Sequence, residues 1–344
     1  MNKNEKRVNK VLVVIGILIF IGACKKSDLL GSISSMKFEK PENFPDPVYA
    51  FTDNFLTENR FNLGRDLFYS KELSFDETIS CATCHDQIHG FADHGVAFSA
   101  GVDGALGTRN SPTIVNMAWH TNFLWDGGVN HLDIFPLAPI TNVAEMKETI
   151  PGVLAKLNAS DEWKLKFKKA YNIDEITDQA MFRAMGQFMA MMVSNSTKYD
   201  KVLRNEATFT TSEAQGYALF QSKCTSCHAE PLLTDISFRN NGLDNTFTDL
   251  GREHITGEIT DRGKFKVPTL RNVAQTYPYM HDGRFFSLAQ VLDHYSEGIV
   301  QSPTLDSSLS GGIPLTAAEK TDIISFLNTL TDYKLMNDQR FSEP

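Results

Sequence analysis

Apolar positions in this chain return at helical rather than strand spacing. Between Asp178 and Lys201, Ala, Met and Phe recur every three or four residues, the period of one helix face. Thr316 to Leu330 repeats the pattern behind Thr316 as N-cap, with Glu319 three residues on to complete a reciprocal cap. The methionines of the first stretch (Met181, Met185, Met189, Met191 and Met192) read as core filling rather than as ligands. Elsewhere the segments lack the period-two alternation of half-buried strands, so the chain is predicted to be mostly α with few strands. The N-terminus breaks this pattern. Val11 to Ile21 is an unbroken apolar run behind Lys3, Lys6, Arg7 and Lys10. It is too short for a permanent bilayer span and has the layout of an export leader. Lys25 to about Asn43 is polar with scattered Gly, Ser and Pro, the composition of a tether.

Self-similarity sets the architecture. Gly64 to Lys71 and Gly216 to Lys223 share Gly-x-x-Leu-Phe-x-Ser-Lys, each the end of a short amphipathic helix. Each leads to a Cys-x-x-Cys-His pentapeptide, Cys81 to His85 and Cys224 to His228, with nine extra residues in the first copy. Downstream, Pro112-Thr113-Ile114-Val115-Asn116-Met117-Ala118 aligns without gaps to Pro268-Thr269-Leu270-Arg271-Asn272-Val273-Ala274. The offset of 156 residues persists to Trp125-Asp126-Gly127 against His281-Asp282-Gly283.

The pentapeptide carries the chemistry. Two thiols two residues apart reach the two vinyl groups on one porphyrin edge, and the next residue brings an imidazole under the iron. A redox dithiol gives no reason for the His, and a zinc site would need the two motifs to converge. The expectation is two covalent haem c groups, Cys81, Cys84 and His85 holding one and Cys224, Cys227 and His228 the other. The predicted fold is two tandem cytochrome-c-like haem modules, related by the internal repeat and packed face to face. The segments are 1–23 leader, 24–44 tether, 45–205 first module and 206–344 second module.

The fifth cysteine, Cys24, closes Ile21-Gly22-Ala23-Cys24, which resembles a bacterial lipobox. Cleavage there would leave Cys24 as a lipid anchor in an exported, periplasm-facing protein. Residues 1–23 carry four positive charges and one negative, so without them the formal net charge of −9 becomes −12. That excess argues against nucleic acid as a partner and favours an electron donor with a basic face.

Over roughly residues 45–335 the chain resembles the bacterial di-haem cytochrome c peroxidases and the MauG-type di-haem enzymes. The resemblance rests on both haem motifs, Arg109-Asn110-Ser111-Pro112-Thr113, Phe123-Leu124-Trp125-Asp126-Gly127, Val143-Ala144-Glu145-Met146 and Phe265 to Asn272. It implies that the His85 iron meets peroxide and the His228 iron passes electrons. It implies Glu145 as the distal acid, Pro139 as a distal-pocket residue and Trp125 as the bridge between the haems. It also implies a Ca²⁺ ion held by Asn110 and the backbone carbonyls of Lys266 and Pro268. Hydrogen peroxide would be reduced to water with electrons from a small cytochrome c or a cupredoxin, in a homodimer.

Three positions depart from the peroxidase pattern. Phe98 to Thr108 contains no His where many relatives place a removable ligand, and Phe135 stands where a distal Gln is common. The sixth-ligand Met of typical peroxidases is replaced by Tyr295, with Met280 as the competing donor and His294 a further one. Tyr295 resembles the MauG-type enzymes, which leaves two alternatives open. One is an oxidase acting through a bis-ferryl state on a protein or organic substrate; the other is a non-enzymatic di-haem electron carrier.

Overall fold

Two glycines set the helix packing of both halves. The computed structural model describes residues 36–344; the leader, Cys24 and the first part of the tether lie outside the described residues. The first half contains α1 (Glu58–Tyr69), the single turn α2 (Cys81–Cys84), α3 (Leu137–Thr141), α4 (Ile150–Ala159), α5 (Asp161–Tyr171), α6 (Asp178–Ala190) and α7 (Lys198–Leu203). The second contains α8 (Thr211–Lys223), α9 (Glu253–Thr256), α10 (Leu288–Glu297), α11 (Ala317–Asn328) and α12 (Tyr333–Met336). Among the described residues the sheet is one antiparallel pair, β1 (Phe238–Arg239) with β2 (Phe265–Lys266). No helix of this region is long and apolar enough to cross a membrane.

Helix α1 crosses α6, and α8 crosses α11. At each crossing stands the glycine of the repeated Gly-x-x-Leu-Phe motif. A Cβ on Gly64 would fall on the Ala184 carbonyl and the Phe188 side chain; one on Gly216 would fall on the Asp322 carbonyl and Phe326. The following Leu-Phe then points inward, with Leu67, Phe68 and Phe220 all fully buried. Gly216→Ala forces α8 off α11. We expect a loss of ~1–3 kcal/mol or more, the usual cost of overpacking, read as a lower denaturant midpoint of the haem-loaded protein.

Caps mark where the helices begin. Thr57 accepts from the Arg60 amide and Thr177 from the Ala180 amide. Thr210 with Glu213, and Thr316 with the predicted Glu319, form capping boxes. The long helix predicted over 178–201 instead stops at Ala190. Tertiary partners take its next backbone groups: the Asp332 carboxylate accepts from the Asn195 and Ser196 amides and the Ser194 hydroxyl, and Asn116 bonds both polar groups of the Ser194 backbone. Periodicity could not foresee partners so distant in the chain.

Two apolar cores result. The first gathers Phe61, Leu67, Phe68, Phe188 and the methionine stripe, of which Met181, Met185, Met189 and Met192 are buried. The second gathers Phe220, Leu292, Ile323, Phe326 and Leu330. The chain ends cross over: Leu335 and Phe341 belong to the first core, while Tyr199 belongs to the second. Residues 36–44, read from sequence as the end of a tether, are packed rather than free. Phe38 sits on Phe51 and Trp119, and Phe44 is buried against Trp119. Between the halves lies a fully buried ion pair. Arg271 reaches both carboxylate oxygens of Asp200 at 2.9 Å, donates to the Pro231 carbonyl and lies 4.9 Å over the Phe44 ring.

Two cavities and the wall between them

A single helical turn aims the first pair of thiols. In α2, Cys81 and Cys84 are three residues apart and so share a face, and His85 leaves the helix at its C-cap. All three line a cavity of about 810 Å³, together with Phe135, Pro139 and Glu145. Cys224, Cys227 and His228 line a second cavity of about 520 Å³, together with Met280 and Tyr295. Both volumes fall in the range of cofactor pockets.

The two histidines are oriented alike. His85 Nδ1 lies 3.1 Å from the Phe91 carbonyl, and His228 Nδ1 lies 3.1 Å from the Leu233 carbonyl. A carbonyl only accepts, so Nδ1 carries the proton and Nε2 keeps its lone pair for a metal. Both carbonyl-bearing residues sit in the left-handed region, Phe91 at φ 60° and Leu233 at φ 58°. Bulky side chains seldom adopt that conformation, so each copy of the motif holds the same local strain to fix its imidazole.

The rival chemistries do not fit this arrangement. Burial pushes the Cys81 and Cys224 thiols up to about 12 and Cys84 to about 11, unlike the low-pKa thiols of a redox dithiol. The motifs open into different cavities, so they do not converge on one zinc ion. Each cavity instead offers what haem c needs: two thiols on one edge, an imidazole with a free Nε2 and a largely apolar lining.

Glu145 lies on the turn that follows α3. Asn142 organises that turn: its side chain accepts from the Ala144 amide and donates to Glu145 Oε1 at 2.7 Å, while its carbonyl accepts from the Glu145 and Lys147 amides. The Met146 amide donates to the Pro139 carbonyl, which fastens the turn to α3. Burial raises the Glu145 pKa above the ordinary carboxylate range, and the Asn142 hydrogen bond opposes this only in part. The half-buried carboxyl can therefore both take and give a proton.

Seven residues line both cavities, among them Asn110, Trp125, Lys266 and Pro268. Trp125 is fixed at two points: its Nε1 donates to the Asn110 carbonyl at 2.8 Å and its own carbonyl accepts from the Lys266 amide at 2.7 Å. Asn110 is buried, with Nδ2 3.3 Å from the carbonyls of Val96 and Ala97. The three residues expected to hold calcium thus meet at one wall. Arg109, beside them, bridges the halves by donating to both oxygens of Asp249 and to Asp126.

In the second cavity both candidate sixth ligands are present. Burial pushes the Tyr295 hydroxyl up to about 12. Met280 Sδ lies 3.3 Å from Asn241 Nδ2. His294 is turned to the Asn241 carbonyl, 2.9 Å from its Nε2, and does not line the cavity. His89 and His94 stack on each other at 3.9 Å and line neither cavity. The methionine stripe is core, yet Met185 and Met189 also border the first cavity.

One pair escaped the sequence. The Lys266 ammonium is 3.3 Å from His120 Nδ1, 146 residues away, and burial lowers the Lys266 pKa to about 8. Burial, with Lys266 beside it, holds His120 well below the ordinary imidazole value. A half-buried Lys next to a buried His leaves no local sequence signal.

Residues 58–208 match the family profile described as di-haem cytochrome c peroxidase, and residues 213–331 match the cytochrome c profile. The chain is 31% identical to the methylamine utilization protein MauG of Methylophilus methylotrophus, over 86% of this chain and 88% of that one. It is 32% identical to the cytochrome c551 peroxidase of Nitrosomonas europaea, over 84% and 85%. Among solved structures, a MauG-like protein associated with microbial copper homeostasis superposes with a TM-score of 0.84 at 33% identity, covering 90% of this chain and 99% of that one.

Proposed function

The chain belongs to the bacterial di-haem cytochrome c peroxidase and MauG family, and from that premise we propose that it reduces hydrogen peroxide to water. The observation that carries the reading is Glu145, a carboxyl of raised pKa beside Pro139 in the cavity of His85. The two haem c groups supply the iron that stores and delivers the two electrons. His85 and His228, with Nδ1 tied to a carbonyl, would hold those irons through Nε2. Glu145 takes a proton from bound peroxide and returns it to the departing oxygen, which then leaves as water rather than hydroxide. Pro139 and Phe135 shape access to that oxygen. Trp125 gives electrons a path between the two cavities.

Further assignments accompany this reading. Asn110 and the carbonyls of Lys266 and Pro268 hold a Ca²⁺ ion that ties the halves together, with hard oxygen donors drawn from both. Tyr295 would be the sixth donor of the second haem, with Met280 on the same cavity as the competing donor. Electrons come from a small cytochrome c or a cupredoxin. The protein works in the periplasm on a lipid at Cys24, as a homodimer.

Peroxide-dependent oxidation of a pre-reduced small cytochrome c tests the function. Turnover is expected, with cyanide perturbing one of the two haems, since no His stands in the 98–108 loop to close the first. No turnover, with neither haem responding to cyanide, would leave an electron carrier. Tyr295 also favours a second reading, a MauG-type oxidase. A persistent near-infrared band after peroxide alone, without cytochrome oxidation, would select it.

A further inference from the structure

The peroxide chemistry leaves the side chains of Lys266 and His120 unused. Lys266 belongs to β2 in the second half, yet its ammonium ends on His120 of the first half, 3.3 Å from Nδ1. His120 lines the first cavity alone, whereas Lys266 lines both, so the charged end of Lys266 lies on the side of the first cavity. A buried ammonium is costly unless an anion accompanies it. Arg109, the other long cation bordering this cavity, already has Asp126 and Asp249. Lys266 makes no ion pair among the described residues, and its neighbour is the Nδ1 of the His120 imidazole, which accepts from the ammonium. Glu145, which lines the same cavity, is engaged by Asn142 instead.

The cysteines indicate which edge of each haem would face the wall. Cys81 and Cys84 line only the first cavity and Cys224 and Cys227 only the second, so neither thioether edge would lie on the shared wall. The opposite porphyrin edge carries two carboxylates. We propose that the Lys266 ammonium, aimed by His120, is the counter-charge for a propionate of the first haem at the wall between the halves, and that it holds that haem's reduction potential up. A fixed positive charge favours the ferrous over the ferric state, which has one more positive charge on the iron. His120 is a positioning residue: its Nδ1 lone pair holds the ammonium without neutralising it. The inference rests on the two covalent haems and not on peroxide turnover, so a failed peroxidase assay would leave it standing.

Redox titration of the full di-haem protein at one calcium concentration tests it, with the first haem identified by its response to cyanide. Lys266→Met is expected to lower the midpoint potential of the first haem and to move the second less. Lys266→Arg, which keeps the charge, is expected to restore most of the shift, and His120→Phe to give a smaller drop. An unmoved first-haem potential in Lys266→Met overturns the proposal, and so does an equal drop in Lys266→Arg. An unchanged potential in His120→Phe removes His120 from it. Should Lys266→Met fail to load haem, resonance Raman spectra of Lys266→Arg decide. The propionate bending bands shift as the donor changes from ammonium to guanidinium, and unchanged bands overturn the proposal.

Discussion

Replacing Glu145 by Gln is expected to cut peroxide turnover by about 10²- to 10⁴-fold, the usual contribution of a positioned acid–base group, while both haems stay attached. Gln keeps the shape and can still accept from Asn142, but it cannot carry a proton from one peroxide oxygen to the other. The pH profile is the sharper readout. Glu145 must be ionised to take the first proton, and burial raises its pKa. Second-order turnover at low peroxide should therefore rise with pH through a value above the ordinary carboxylate range. The variant should lose that limb and become flat there. A variant that is slow but keeps the limb would assign the limb to another group and remove Glu145 from the proton transfer.

Asp200→Asn is expected to cost ~3–5 kcal/mol of stability, because it leaves the fully buried Arg271 guanidinium without its counter-charge. Both side chains are fully buried, and the two contacts at 2.9 Å form a fork. Burial alone would raise the Asp200 pKa; Arg271 and the Thr197 hydroxyl and amide outweigh it and hold it below its ordinary value. The sign follows from linkage: a depressed folded pKa stabilises above the unfolded carboxylate value, and that stability is lost as pH falls through the folded value. Urea titrations at neutral and acid pH should show the variant weaker at neutral pH, the gap closing on acidification. Replacing both partners by apolar residues, as in Asp200→Leu with Arg271→Met, should recover much of the loss. A double variant as weak as the single one would mean that the Pro231 and Phe44 contacts of Arg271 matter more than its ion pair.

Much of this site could be read along the chain because it is built from short-range pieces. The pentapeptides, the Gly-x-x-Leu-Phe motif and the Pro-Thr-x-x-Asn repeat each act within a few residues. The repeat even explains itself once the helix crossings at Gly64 and Gly216 are seen, since only glycine lets those backbones meet. What stayed hidden is long-range. The stop of α6 at Ala190 depends on Asp332, the Lys266 side chain depends on His120, and the core role of Phe44 depends on Trp119 and Arg271. Polar pairs separated by more than a hundred residues leave no periodicity and no motif. Residues 36–44 looked like tether because their composition is polar, and only tertiary contact showed that their two phenylalanines are anchors.

The exchange of chain ends between the cores bears on the history of the molecule. Two haem modules joined in tandem begin as interchangeable copies that can be cut apart. Here Tyr199, from the tail of the first copy, fills the second core, and Leu335 and Phe341, from the tail of the second, fill the first. Each half has become part of its neighbour's interior. Scission between the copies would leave two holes instead of two cytochromes, so the duplication is no longer reversible.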